Sequence, residues 1–194
     1  MPRDRRVYRQ VAQLHIDCID QGFLPQLGAD FLTLMYECLD EDPGALLLTC
    51  ERDGDVVGFV TSAGSLGGVY RRMLGRWRRL APALGPSLVR PRRVLRILEI
   101  LRYSAAHPAD AALPASELLS LAVAPAWRGK GCAEELYQGL VRELTQRGER
   151  AFKIVVGAPL APAHRFYRRM GAEPAAEIEV HRGEASTVYV HHLA

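Results

Sequence analysis

Apolar residues recur along this chain with two different periods, and the changes of period mark out its elements. Val7, Val11, Leu14, Cys18 and Ile19 fall at three- and four-residue steps and predict a first helix with one apolar stripe. GFLPQLG interrupts it. Asp30 stands where a cap would open a second helix, whose buried side carries Phe31, Leu34, Met35, Cys38 and Leu39 before Asp42-Pro43-Gly44 stops it. ALLLTCE and DVVGFVTSA then flank Arg52-Asp53-Gly54, a turn signal that predicts an antiparallel hairpin. Farther on, Glu117 to Ala124 (ELLSLAVA) is apolar at nearly every position, as in a central strand covered on both faces, and Pro125 ends it. A helix follows from about Cys132 to Gln146, with Leu136, Tyr137, Leu140, Val141 and Leu144 on one face and Gly148 as its stop. FKIVV reads as another buried strand, Ala163 to Met170 as a short helix closed by Gly171, and EIEVHRGEASTVYVHHL as a closing hairpin.

Between the first hairpin and the central strand lies an insertion at about 64–115. Val69, Met73, Trp77 and Leu80 have helical spacing in its first half, and Val94, Leu98 and Leu101 in its second. The order ααββ, insertion, βαβαββ places the chain in the α/β (α+β) class, with a mixed central sheet flanked by helices. A length of 194 residues suits a single domain with one well-buried core.

Composition changes this picture little. Hydrophobic residues make up 48% and charged residues 24%, and no stretch is long and apolar enough to span a membrane. MPRDRRVYRQ is not followed by the apolar segment of a signal peptide, so a cytoplasmic location is expected. Cys18, Cys38, Cys50 and Cys132 lie far apart without a CxxC pair, which predicts reduced thiols and no metal site. The net charge of +3 is unevenly spread, because residues 64–115 hold ten arginines against Glu99 and Asp110. That segment carries +8 and leaves the rest of the chain at −5.

The stretch richest in chemistry is VAPAWRGKGCAEELY, residues 123–137. The nucleotide P-loop needs GxxxxGK[ST], and here Cys132 follows Gly131. The dinucleotide pattern GxGxxG is half present, with Glu134 where the third glycine would stand. A glycine turn entering a helix instead directs several free N–H groups to one point, and the helix dipole and Lys130 reinforce their attraction for a pyrophosphate. The same glycines also suit a plain structural turn, and this stretch alone does not separate the two readings.

With the preceding strand included, LLSLAVAPAWRGKGCAEELY resembles the acetyl-CoA signature [RQ]xxGx[GA] of the GNAT superfamily of N-acetyltransferases, filled by Arg128, Gly131 and Ala133. Downstream, AHRFYRRMGA resembles that family's AxxFYxxxGF segment, with Ala163, Phe166, Tyr167 and Gly171 in register. Leu160 replaces the family's frequent asparagine and Ala172 its usual aromatic, so cofactor binding is expected to rest more heavily on the phosphate loop.

The resemblance implies acetyl-CoA as cosubstrate without a metal. Its pyrophosphate would be seated by Arg128, Gly129, Lys130, Gly131, Cys132 and Ala133, and its pantetheine arm would lie along Leu121, Ala122 and Val123. The family's reaction is direct transfer in a ternary complex, with a backbone N–H near Val123 steadying the oxyanion. Glu117, at the position of the glutamate base in some members, is the first candidate base, ahead of His15, Asp17 and His181. Tyr167 corresponds to the general acid for the departing thiolate.

The arginine-rich insertion reads either as a solvated basic face or as a surface for an acidic substrate, anionic lipid or nucleic acid. Nucleic acid is disfavoured, since Tyr70, Trp77 and Tyr103 form no alternating aromatic platform. GFLPQLGADFLTLMY is similar to bacterial acetyltransferases that modify amino sugars. The expected acceptor is therefore a primary amine of a small molecule, with a nucleotide-linked amino sugar as one form, and a homodimer is left open. The competing reading is a non-catalytic module that binds acyl-CoA or, through the insertion, a polyanion.

Overall fold

The computed structural model describes residues 3–19, 24–88, 113–181 and 184–193. Helix α1 (Arg5–Cys18) is capped by Asp4, whose carboxylate accepts from the Arg6 amide at 2.9 Å, and α2 (Ala29–Asp40) follows a short 3-10 turn. Strands β1 (Ala45–Arg52) and β2 (Asp55–Ala63) are joined by the Asp53-Gly54 turn, with φ of 55° and 82°, the left-handed pair that a two-residue hairpin loop requires. The insertion then contributes α3 (Gly67–Gly75) and α4 (Trp77–Leu88). The remaining elements are β3 (Glu117–Val123), α5 (Cys132–Gln146), β4 (Ala151–Gly157), α6 (Ala161–Arg169), β5 (Glu173–His181) and β6 (Glu184–His192).

The six strands form one mixed sheet in the order β1-β2-β3-β4-β6-β5, in which only β3 and β4 run parallel. Two apolar layers cover its faces. One is built by α1, α2 and the start of α3 around Val11, Leu32, Phe59 and Val69; the other by α5 and α6 around Val60, Leu140, Phe152 and Ile154, all near zero exposure. Gly58 lets the second layer close, because a Cβ there would stand 2.8 Å from Cys132 Sγ and 3.2 Å from the Ala122 carbonyl oxygen.

Four expectations are corrected. The buried line of α1 is Tyr8, Val11, Ala12 and His15, with Val7, Leu14 and Cys18 only flanking it. The Tyr8 hydroxyl donates to Asp40 at 2.8 Å, and His15 Nδ1 meets the Tyr36 hydroxyl at 2.5 Å, so polar residues enter the core with partners. Gly28, not Asp30, is the residue before α2. Trp77 is 63% exposed, because the helix breaks at Arg76 and turns it off the Val69–Met73 line. Finally, β4 alternates instead of being buried throughout: Phe152, Ile154 and Val156 are buried and Lys153 and Val155 half-buried. The expected helix around Val94, Leu98 and Leu101 and the side chain of His181 lie outside the described residues.

Candidate active site

Strands β3 and β4 run side by side for only two residue pairs, Glu117 with Lys153 and Leu118 with Ile154. The cause is visible on the other edge of β3. Thr61 pairs with Ser120 while Ser62 pairs with Leu118, so Leu119 is an extra residue opposite β2. A bulge of this kind bends the strand that carries it, and beyond Leu119 β3 leaves β4.

The strand register settles which groups line the opening. The Ala124 amide donates to the Val57 carbonyl at 2.8 Å, so hydrogen bonds to β2 alternate through Ala124, Ala122 and Ser120. The peptide groups of Leu121 and Val123 therefore point the other way, toward the gap. Ala122 differs from expectation: its peptide groups face Phe59 of β2. The Val123 carbonyl is already engaged, accepting from Arg128 Nε at 3.1 Å and from Cys18 Sγ at 3.7 Å. Its N–H remains on the gap side.

At the far end of the strand the chain turns into α5. Gly129 and Gly131 have φ of 72° and 83°, and a Cβ on either would meet nothing within 4 Å. Their need for glycine is conformational, and the space above them is open. Gly131 precedes α5 without any side-chain cap, and the first helical bond runs from the Glu135 amide to the Gly131 carbonyl at 2.9 Å. The amides of Cys132, Ala133 and Glu134 thus have no acceptor within the helix. Two acids in this first turn would repel an anion, yet Glu134 is paired with Arg169 and Glu135 with Arg52, each at 2.6 Å. Lys130 Nζ lies 4.8 Å from the Trp127 ring centroid. Cys132 is buried, so its thiol is turned away from the open side of the turn. This combination of donors, open space and neutralised acids fits a pyrophosphate.

Tyr167 projects from α6 into the α5-side layer, where its ring lies 6.1 Å from that of Tyr137 and 5.3 Å from that of Phe166. Burial raises its pKa well above that of a free phenol, so it is a proton-carrying group throughout the neutral range. Glu117 begins β3, with Oε2 3.7 Å from Lys153 Nζ. Burial raises its pKa, and the Lys153 charge partly offsets that rise. At ~3.3 Å per residue, its Cα is about 13 Å along the strand from Leu121 and about 20 Å from Val123, so it could exchange protons with the open part of the gap only through water. Of the other candidate bases, Asp17 is exposed and accepts from Gln13 at 2.8 Å. His15 is buried, and desolvation lowers its pKa to about 4.

Sequence reasoning missed a polar cluster beneath the gap. The Tyr36 hydroxyl, which meets His15 Nδ1, also lies within hydrogen-bonding reach of Ser120. His15 is among the reserve bases, but its partners were not foreseen, and Ser120, the one polar residue inside ELLSLAV after its first position, was the further signal. Also missed was the fate of the insertion's arginines. Arg76 pairs with Glu37 at 2.7 Å and Glu41 at 2.6 Å, Arg79 with Glu37 at 2.6 Å, and Arg72 with Asp42 at 3.4 Å. These three arginines fasten the α3–α4 segment to α2 and to the turn that follows it.

The profile of the Acetyltransferase (GNAT) family matches residues 10–172. The chain belongs to that family, acyltransferases that use acetyl-CoA. None of the curated proteins matches its sequence. Among solved structures, an N-acetyltransferase from Staphylococcus aureus Mu50 superposes with a TM-score of 0.65 at 14% identity, covering 100% of this chain and 97% of that one. The protein yncA from Salmonella typhimurium, solved with its cofactor acetyl-CoA, gives 0.63 at 16%, covering 100% and 92%. An aminoglycoside 6'-N-acetyltransferase complexed with coenzyme A gives 0.60 at 12%, covering 95% and 89%. At these identities the likeness is one of fold, and it includes the mixed sheet. Among the described residues no cluster of His, Cys, Asp and Glu is placed to hold a metal ion, and no helix is long and apolar enough to cross a membrane.

Proposed function

We propose that this acetyltransferase acts on a primary amine of a small molecule, by direct transfer within a ternary complex, and that a nucleotide-linked amino sugar is the acceptor class to test first. The observation that carries the reading is the opening of β3 from β4 after Leu118, with the uncapped amides of α5 at its mouth. When bound, acetyl-CoA supplies an acyl group activated as a thioester.

The chain's own groups divide the remaining work. The amides from Gly129 to Glu134 hold the pyrophosphate. The peptide groups of Leu121 and the N–H of Val123 align the pantetheine arm as an added strand would, and one of these N–H groups donates to the carbonyl oxygen as negative charge develops on it. Glu117 accepts the amine's proton through water, and Tyr167 returns a proton to the leaving sulfur. A covalent acyl-enzyme is not required.

Support for a large polar acceptor comes from the end of the sheet where β3 begins. A cavity of about 1020 Å³ opens there, lined in part by Ser62, Ser65, Arg71, Arg72, Ser116 and Arg147. Ser62 Oγ is buried without a hydrogen-bond partner among the described residues. Arg72 and Arg147 are partly engaged, with Asp42 and with the carbonyls of Pro43 and Ala45, which leaves Arg71 as the residue to change. The test is thiol release from acetyl-CoA across a panel of amino sugars, nucleotide-linked amino sugars, polyamines and peptides. Turnover with a nucleotide-linked amino sugar, with KM raised in Arg71→Ser, is the expected result. Preference for a peptide amine would reject the acceptor class, and the absence of turnover with any amine would favour a binding module.

A further inference from the structure

On the α3–α4 segment three arginines turn back to acids of α2 and the turn after it: Arg76 reaches Glu37 and Glu41, Arg79 reaches Glu37, and Arg72 reaches Asp42. Val69, Met73, Leu80 and Leu84 pack toward the core, whereas Leu74 and Trp77 stand outside it at 59% and 63% exposure, the two most exposed large apolar residues described. Val69 and Met73 anchor α3 in the core behind them, so the ion pairs and this anchor hold Leu74 and Trp77 fixed toward solvent. An apolar pair held outward beside basic groups is the pattern by which amphipathic helices lie on an interface.

The neighbouring charge selects the partner. Arg71 and Arg78 flank the pair, both exposed and without an ion pair among the described residues, and the Arg78 guanidinium carbon lies 5.6 Å from the Trp77 ring centroid. A second copy docking through a two-fold contact would bring the same arginines against each other. Nucleic acid would leave Leu74 unused and offers one ring no stacking series. An anionic bilayer accommodates all four groups: the indole settles at the headgroup level, the leucine enters the acyl boundary, and the guanidinium groups meet lipid phosphates.

We infer that the outer face of α3–α4, through Leu74, Trp77, Arg71 and Arg78, docks the protein on an anionic phospholipid surface. The acceptor's identity does not enter this inference, but Arg71 also lines the cavity at the start of β3, so the variants that test it change Leu74 and Trp77 alone. The test is co-sedimentation of the full chain with vesicles of phosphatidylcholine alone, or with about a quarter phosphatidylglycerol, alongside tryptophan emission. Wild type should bind the anionic vesicles and not the neutral ones, release as salt rises from about 50 to 500 mM, and show a blue shift on binding that Trp77→Phe removes. The double variant Leu74→Ser, Trp77→Ser should bind at least about tenfold more weakly with an unchanged melting temperature, since both side chains are exposed. Failure to bind anionic vesicles, binding by the double variant equal to wild type, or preference for an oligonucleotide would overturn the inference. So would a wild-type dimer in sedimentation analysis that the double variant abolishes, because the face would then belong to a second copy.

Discussion

Gly131 offers the sharpest separation of a phosphate seat from a structural turn. Its φ of 83° is left-handed, and no atom lies within 4 Å of a Cβ built there, so a substitution meets backbone strain but no clash. Alanine should cost about 1 to 2 kcal/mol of stability from that strain. Asparagine tolerates the conformation better and has nearly the volume of aspartate, so the pair Gly131→Asn and Gly131→Asp differs in essence by one charge. With the carboxylate about 5 Å from one phosphate charge and an effective dielectric of about 20, the repulsion is roughly 3 kcal/mol, or about a hundredfold in affinity. Titration calorimetry with coenzyme A, paired with thermal melts, reads both quantities. The Asn and Asp variants should melt alike while Asp binds about a hundredfold more weakly than Asn. Equal affinity for the two would refute the assignment of this loop to the pyrophosphate.

Four other outcomes are expected. Tyr167→Phe should lower turnover while leaving coenzyme A affinity unchanged; normal turnover would remove the residue from proton transfer. Glu117 must be ionised to accept a proton, and burial raises its pKa, so activity should fall with decreasing pH from above the ordinary carboxylate range. Glu117→Gln should cut turnover and abolish that acid limb, and an unaltered pH profile would exclude the role. Glu37 has a pKa lowered chiefly by its hydrogen bond from Arg79; its stabilisation should be complete above the unfolded value of about 4.3 and vanish as pH falls through the lower folded value. Glu37→Gln should therefore cost about 2 kcal/mol at neutral pH, between exposed and fully buried ion pairs, and the difference should close in acid melts. Gly58→Ala should push α5 away from β2 at Cys132 and weaken coenzyme A binding together with stability; a variant with wild-type melting and affinity would show that this close contact does not position the loop.

What could be read from the sequence was what is local. The Asp53-Gly54 hairpin, the apolar face of α5 and the glycine turn before it are each fixed by residues within a few positions of one another, and each formed where expected. The bulge at Leu119 was not legible, because it depends on which residue of β3 finds a partner on β2, and an unbroken apolar run does not mark the skipped one. The +8 of the insertion was visible as charge, but its pairing was not: Arg72 and Arg79 meet acids 30 and 42 residues earlier, and distant ion pairs leave no spacing signal. The stripe of α1 was displaced for a related reason. Hydropathy discounts Tyr8 and His15, which enter the core because Asp40 and Tyr36 satisfy their polar atoms. Within the candidate site, the loop was readable from its glycines, whereas the outward turn of Leu121 and Val123 required the register with β2.

A crystal structure of the protein with coenzyme A would locate the cofactor outright. Pyrophosphate oxygens are expected within hydrogen-bonding distance of the amides between Gly129 and Glu134, with the pantetheine arm along β3 at Leu121 and Val123. A coenzyme seated elsewhere, or a β3–β4 ladder that continues past Leu118 in its presence, would contradict that placement.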